Sequence, residues 1–231
     1  LAYLNKKVLL VDFDPQGNTT QGVGYEFSNK ESTIYEALFG IEQTKNCIKH
    51  LQKPPLDLLP ANINLSGAEL ELASIEEKRE EQLKKTIEEL KNDYDYIIID
   101  CPPTLGLLTI NALTASTDII IPILGDYLSL KGLSLLNDTI NLVKKKLNPE
   151  ISLLGVLLNM YDGRTQLARQ VKEEVVKYYG DKVFKTEIPR NVRLSEAPSY
   201  GQTICDYDKK SKGGMAYEKL AKEVIKRTKT V

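Results

Sequence analysis

Transition-metal ligands and disulfide partners are scarce in this chain of 231 residues, which has three cysteines and one histidine. Cys47, Cys101 and Cys205 are odd in number and far apart, with no Cys-x-x-Cys pair. That argues against a zinc site and against a secreted disulfide framework, and it points to a reducing cytoplasm. His50, alone in a polar stretch, is assigned no catalytic role. No segment approaches the roughly 18 uninterrupted apolar residues of a membrane span. The apolar run Val8–Val11 is too short for a signal peptide and leads into acids. Neither charge sign dominates: 31 Lys and Arg face 32 Asp and Glu, so the whole chain is no basic nucleic-acid glue. The distribution is less even, with twelve basic against seven acidic residues from Asp181 to Val231. On charge alone that excess reads as a solvated helix face.

What the chain does have is alternation. Lys7–Phe13, Leu56–Leu59, Tyr96–Cys101, Ile119–Leu124, Leu153–Asn159 and Val183–Ile188 are short apolar runs that read as buried strands. Between them lie helical patterns over Gly67–Lys91, Lys131–Leu147 and Thr165–Tyr179, and a last one through Tyr217, Leu220, Ala221, Val224 and Ile225. Strand alternating with helix predicts a single α/β domain over residues 1–231, with a doubly wound, mostly parallel sheet and helices on both faces. No repeat, low-complexity tract or linker interrupts it. In such sheets ligands bind beyond the carboxyl ends of the strands.

Two strands end in carboxylates. One runs into Asp12-Phe13-Asp14-Pro15-Gln16-Gly17-Asn18, the other into Asp100-Cys101-Pro102-Pro103. A Mg²⁺–phosphate site needs hard oxygen ligands of this kind, and a second carboxylate can orient a water towards a phosphate. A single Asp closing a strand is weak evidence, because many serve as loop anchors. Two such strands, each followed by a proline-stiffened turn, are stronger.

VLLVDFDPQGNTTQGVG, YDYIIIDCPPTLGLLTINAL, GVLLNMYDGRTQLARQV and IPRNVRLSEAPSYG together resemble the ParA/Soj partition ATPases of the deviant Walker A group, to which MinD-type proteins also belong. The resemblance runs through the whole chain in order. It implies a P-loop NTPase-like fold and an ATP hydrolase that uses ATP and Mg²⁺. It implies catalytic roles for Asp14, which positions the hydrolytic water, for its neighbour Asp12 and for Gln16 in the same switch segment. Asp100 matches the Walker B aspartate that holds Mg²⁺ through water, with Asp14 beside the ion. Pro102 and Pro103 fall in the γ-phosphate-sensing loop, and Asn159, Pro189 and Asn191 near the adenine. Arg164 and Arg193 match arginines used for non-specific DNA binding, with Arg190 a third. The implied partners are a second copy of the chain, a ParB-like protein and DNA, with no membrane. The implied location is cytoplasmic and nucleoid-associated. Exposed guanidinium groups suit salt-sensitive, sequence-tolerant binding, although each arginine could equally form a surface ion pair worth little.

The family's strand and Lys-Gly-Gly-x-Gly-Lys-Thr-Thr-like loop do not occur here. The chain is therefore expected to be an N-terminally truncated family member whose own phosphate binding is lost or very weak. The absent strand is expected inside the sheet, beside the one carrying Asp12. Gly22-Val23-Gly24 and Lys212-Gly213-Gly214 read as turns, not as replacement loops. Two further readings stay open: a non-catalytic binding module, and a MinD-like division-site ATPase. The second lacks an amphipathic anchor, because the last helix carries only a modest apolar stripe.

Overall fold

The computed structural model describes residues 1–28 and 31–229. Six strands are formed: β1 (Val8–Asp12), β2 (Lys49–His50), β3 (Asp57–Leu59), β4 (Tyr96–Asp100), β5 (Asp118–Leu124) and β6 (Ser152–Asn159). The helices in chain order are α1 (Asn18–Gly22), α2 (Ile34–Leu38), α3 (Thr44–Cys47), α4 (Ala68–Ser74), α5 (Gln82–Glu88) and α6 (Leu107–Ala115). They continue as α7 (Tyr127–Lys146), α8 (Gln166–Tyr179), α9 (Val192–Glu196), α10 (Ile204–Asp208) and α11 (Lys212–Thr228). The pairings are parallel apart from the short β2–β3 pair, as a strand–helix alternation requires.

The strands form two ladders instead of one. The first has the order β2-β3-β1-β4, and the second pairs β5 with β6. β1 is paired on both sides, with β3 and with β4. The expected vacancy beside the Asp12 strand is therefore not there. Besides the two-residue β2 at the far side, β4 and β5 have open edges, and their burial follows. β1 and β6 are almost wholly inside, whereas Ile98 of β4 is 37% exposed and Ile120 and Leu124 of β5 are 37% and 40% exposed. These β-branched and apolar side chains have no strand beside them to cover them.

Helices tie the two ladders together. On one face Leu9, Val11 and Phe13 of β1 lie in a core with Leu83 and Ile87 of α5 and Leu108 and Ala112 of α6. α6 then carries Leu113 into a second cluster with Val143 of α7 and Ile119 of β5. On the other face α11 packs Val224 and Leu220 against Tyr96 of β4 and Leu154 and Leu157 of β6. Burial of this kind contributes about 25 cal/mol per Å² of apolar surface, which makes these shared helices the main link between the ladders.

Local chemistry explains where the elements stop. Thr165 caps α8, accepting from the Ala168 amide, and Ser211 caps α11 in the same way at Gly214. Lys212-Gly213-Gly214 is thus the first turn of α11, not a loop; a Cβ on Gly213 would lie 2.6 Å from Leu194. The helical pattern over Gly67–Lys91 is broken. α4 closes at Ile75, in extended backbone, and Lys78 is left-handed before α5 begins. Asn111 of α6 holds this break open, accepting from the Leu83 amide and donating to the Arg79 carbonyl. The run Val183–Ile188 meets β6 through a single bridge from Val183 to Val156 and through the Phe184 and Ile188 amides, which donate to the Val156 and Leu158 carbonyls. The amides of Lys185 and Thr186 donate to the Glu223 carboxylate of α11, so they cannot continue a ladder.

Candidate nucleotide and phosphate site

β1 and β4 are neighbours in register, with Asp12 opposite Asp100, and the Phe13 amide donates to the Asp100 carbonyl at 2.9 Å. The two carboxylate-bearing strand ends therefore share one rim. Their side chains differ sharply in what they are free to do.

Asp12 is fully buried. Its Oδ2 accepts from the Thr20 amide at 2.8 Å and the Thr20 hydroxyl at 2.7 Å, and its Oδ1 from the Asp14 amide at 3.3 Å. The Thr20 hydroxyl in turn accepts from the Ala61 amide at 3.1 Å. Burial pushes the Asp12 carboxyl above its ordinary range, and the bonds from Thr20 and Asp14 oppose that rise. With both oxygens engaged inside the protein, Asp12 anchors the loop.

Asp14 stands at the rim, half-buried. Its Oδ1 accepts from the Gln16 amide at 3.0 Å, and its carbonyl accepts from the Gly17 amide at 2.9 Å. This tight turn needs Gly17, which has φ +64° and would place a Cβ 3.0 Å from the Ala61 carbonyl. Gln16 is exposed, with only its backbone amide used in the turn. Asp100 is exposed and its Oδ2 accepts the Thr19 hydroxyl from α1. Thr19 and Thr20, one on each aspartate, were missed by sequence reasoning. The signal available was their position directly after Gly17-Asn18, at the start of a short helix.

Next to Asp100, the Cys101 thiol is pushed up to about 12 by desolvation first and then by the charges of Asp100 and Asp14. Pro102 and Pro103 follow on the surface and lead to α6, with Pro103 exposed. Among the described residues no group of three or more His, Cys, Asp or Glu side chains could hold a metal. Two carboxylates and a threonine hydroxyl, all hard oxygens, nevertheless suit Mg²⁺, which keeps several waters and takes its remaining ligands from phosphate.

Asn159 ends β6, where its side-chain oxygen accepts the Met160 amide at 3.0 Å. Pro189 is bridged to Tyr161 next to it. Asn191 caps α9 by accepting from the Arg193 amide at 3.0 Å. Asn159 and Pro189 are thus brought together at a strand's carboxyl end, while the Asn191 side-chain oxygen serves the helix. The α1 end of the site also touches this region. A Cβ on Gly24 would lie 2.3 Å from the Gly201 carbonyl, in the turn that follows α9.

The three arginines are on the surface but not idle. Arg164 grips Asp162 with Nε at 2.8 Å and Nη2 at 2.6 Å, which holds the Asp162 carboxyl down to about 2. Arg190 adds to that field. Arg193 bonds Glu196 at 2.9 Å, approaches Asp208 at 3.6 Å and lies over the Tyr207 ring at 6.0 Å. Arg164 and Arg190 therefore share Asp162, while Arg193 belongs to a separate cluster. No helix of the described residues is long and apolar enough to cross a membrane.

Comparison with known proteins shows the family and the fold. The model of an AAA domain matches residues 1–153. The sporulation initiation inhibitor protein Soj of Bacillus subtilis is 54% identical over 224 residues, covering 97% of this chain and 88% of its own length. The chromosome-partitioning ATPase Soj of Treponema pallidum is 47% identical over 227 residues, covering 98% and 88%. Among solved structures, cobyrinic acid a,c-diamide synthase of Mycobacterium smegmatis with ADP and magnesium superposes with TM-score 0.84 at 35% identity, covering 98% of this chain and 84% of that one. The cell division ATPase MinD of Pyrococcus furiosus, at 23% identity and TM-score 0.74, shares the fold. Identity at this level, unbroken from the aspartate-bearing β1 to α11, means that the chain belongs to the Soj/ParA family of chromosome-partitioning ATPases.

Proposed function

We propose that the protein works as a chromosome or plasmid partition ATPase: an ATP- and Mg²⁺-dependent dimer that binds DNA non-specifically and is switched off when a ParB-like protein stimulates hydrolysis. The observation that carries this reading is the pairing of β1 with β4, which sets Asp14 and Asp100 on one rim while Asp12 stays buried beneath. Asp14, fixed by the Gln16 and Gly17 amides, orients the attacking water. Asp100 would hold Mg²⁺ through water once Thr19 gives up its bond to that carboxylate. Bound there, the ion supplies neutralisation of the charge on the transferred phosphoryl group. Asn159 and Pro189 offer an edge for the adenine. The open edges of β4 and β5 take one further parallel strand, which brings a phosphate-binding loop beside Asp100. Arg164, Arg190 and Arg193 meet DNA phosphates without reading bases. The protein acts in the cytoplasm on the nucleoid.

ATP turnover tests this reading, measured with DNA and a ParB-like protein on a chain supplied with a Gly-Lys-Thr-bearing strand. Asp14→Ala is expected to lower stimulated turnover about 100-fold or more while ATP-dependent DNA binding persists. Unchanged turnover in Asp14→Ala would sink the assignment.

A further inference from the structure

The pairing of Val183–Pro189 with β6 is irregular in a way that a regular ladder does not explain. The Phe184 amide donates to the Val156 carbonyl at 2.9 Å. In a regular parallel ladder the Thr186 amide would take the next carbonyl of β6 on that side, that of Leu158. The Ile188 amide takes it instead, also at 2.9 Å, so the pairing resumes two residues late. The Thr186 amide donates to the Glu223 carboxylate of α11 at 3.0 Å, beside the Thr186 hydroxyl at 2.8 Å and the Lys185 amide at 2.9 Å. A single carboxylate thus accepts three bonds from the bulge. Glu223 is itself held. Arg227, one turn on, bonds it at 2.9 Å, donates to the Leu154, Lys182 and Val183 carbonyls and lies over the Phe184 ring at 4.1 Å. A Cβ on Gly155 would lie 2.8 Å from the Arg227 Nη1, so the guanidinium reaches the β6 backbone because that residue has no side chain. Where pairing resumes, Ile188 is fully buried and its carbonyl accepts the Tyr161 amide at 2.9 Å. Pro189 is then bridged to Tyr161, just past Asn159.

We propose that Glu223 is a positioning residue for the nucleotide base: by holding the bulge at Lys185 and Thr186, it sets which residue reaches the end of β6. Bulges re-aim side chains in this way beside functional sites. Unbroken pairing from the Val183–Val156 bridge would bring Ile188 opposite Tyr161, whereas the bulged chain brings Pro189 there and keeps Ile188 inside. Glu223 acts through Asn159 and Pro189 as the adenine edge, the reading on which this role rests. It makes α11, which contributes nothing else to that edge, its support. Once Glu223 cannot accept both amides, the bulge loosens and Pro189 leaves its place.

Two measurements test this. On the chain itself, without nucleotide, amide exchange over residues 183–189 is expected to be roughly tenfold faster in Glu223→Gln and unchanged over β1. On the chain supplied with a Gly-Lys-Thr-bearing strand, binding of Mg²⁺–ATP is compared with that of Mg²⁺–tripolyphosphate, which carries no base. Glu223→Gln keeps the side-chain length but replaces one accepting oxygen by a donor. It is expected to weaken ATP about tenfold and to leave tripolyphosphate near wild type. Thr186→Val removes only the hydroxyl and is expected to weaken ATP about threefold. Unchanged exchange over 183–189 or unchanged ATP affinity in Glu223→Gln overturns the proposal. Equal weakening of ATP and tripolyphosphate also overturns it, because the loss is then one of general structure. Asn159→Ala separates the two readings. If it removes the advantage of ATP over tripolyphosphate while Glu223→Gln does not, the adenine edge stands and the positioning role falls. If Asn159→Ala leaves that advantage intact, the adenine edge falls and the positioning role with it.

Discussion

At the residue scale, the two aspartates of the Asp-x-Asp motif do opposite work. Asp12 is buried at the end of β1, where Thr20 holds it, whereas Asp14 lies in the turn beyond the strand and stands at the rim. The Thr20 hydroxyl is the pivot, because it donates to Asp12 while accepting from the Ala61 amide. Thr20→Val keeps the shape but removes one hydrogen bond from the buried Asp12 carboxylate and leaves the buried Ala61 amide without its acceptor. It is expected to cost about 2–3 kcal/mol, read as a lower urea midpoint with an unchanged slope. Asp162 offers a pH test. The Arg164 guanidinium holds the folded carboxyl at about 2, below its ordinary value near 4. The stabilisation is therefore complete above pH about 4 and is lost as pH falls through about 2. An NMR titration of Asp162 should show that low midpoint, and Arg164→Ala should return it to roughly 4. The arginines themselves were legible as exposed cations. That Arg193 also approaches Asp208 was not, because Asp208 lies fifteen positions away and only folding brings them together.

At the scale of elements, the Gly24–Gly201 contact joins the end of α1 to the turn after α9 by backbone against backbone. Gly24 has φ +80° and no room for a Cβ, whereas Gly22 has open space around it. Gly24→Ala is expected to destabilise by about 2 kcal/mol or more, and Gly22→Ala to leave the thermal midpoint within a degree or two or to raise it slightly. Periodicity was a good guide where one face decides the element. In α8, Ala168, Val171 and Val175 are buried as their spacing predicts, behind a threonine cap. It misled at Gly67–Lys91, where the Asn111 side chain satisfies backbone groups that a continuous helix would have used. It misled again at Val183–Ile188, where Glu223 of α11 accepts two amides from the expected strand. In both places a distant polar side chain outbid local propensity.

At the scale of the whole molecule, two ladders are held side by side by α6 and α11, with β4 and β5 each lacking a neighbour. Hydrogen exchange should report this directly. Amides of β1, paired on both sides, are expected to be among the slowest, while the outward amides of β4 and β5 exchange at least tenfold faster. Equal protection across the three strands would contradict the open edges. Binding of a complementary strand would slow β4 and β5 together.

The sequence by itself determined the α/β class and the carboxylate-ended strands, because apolar runs, their spacing and the residues that close them are local properties. It also carried the family, through four blocks in order. Only the tertiary structure decided that Asp12 is buried as an anchor while Asp14 stands at the rim, and that β1 is paired on both sides whereas β4 and β5 each have one side unpaired. Each of these depends on which elements lie side by side, and long-range packing and buried hydrogen bonds set that arrangement.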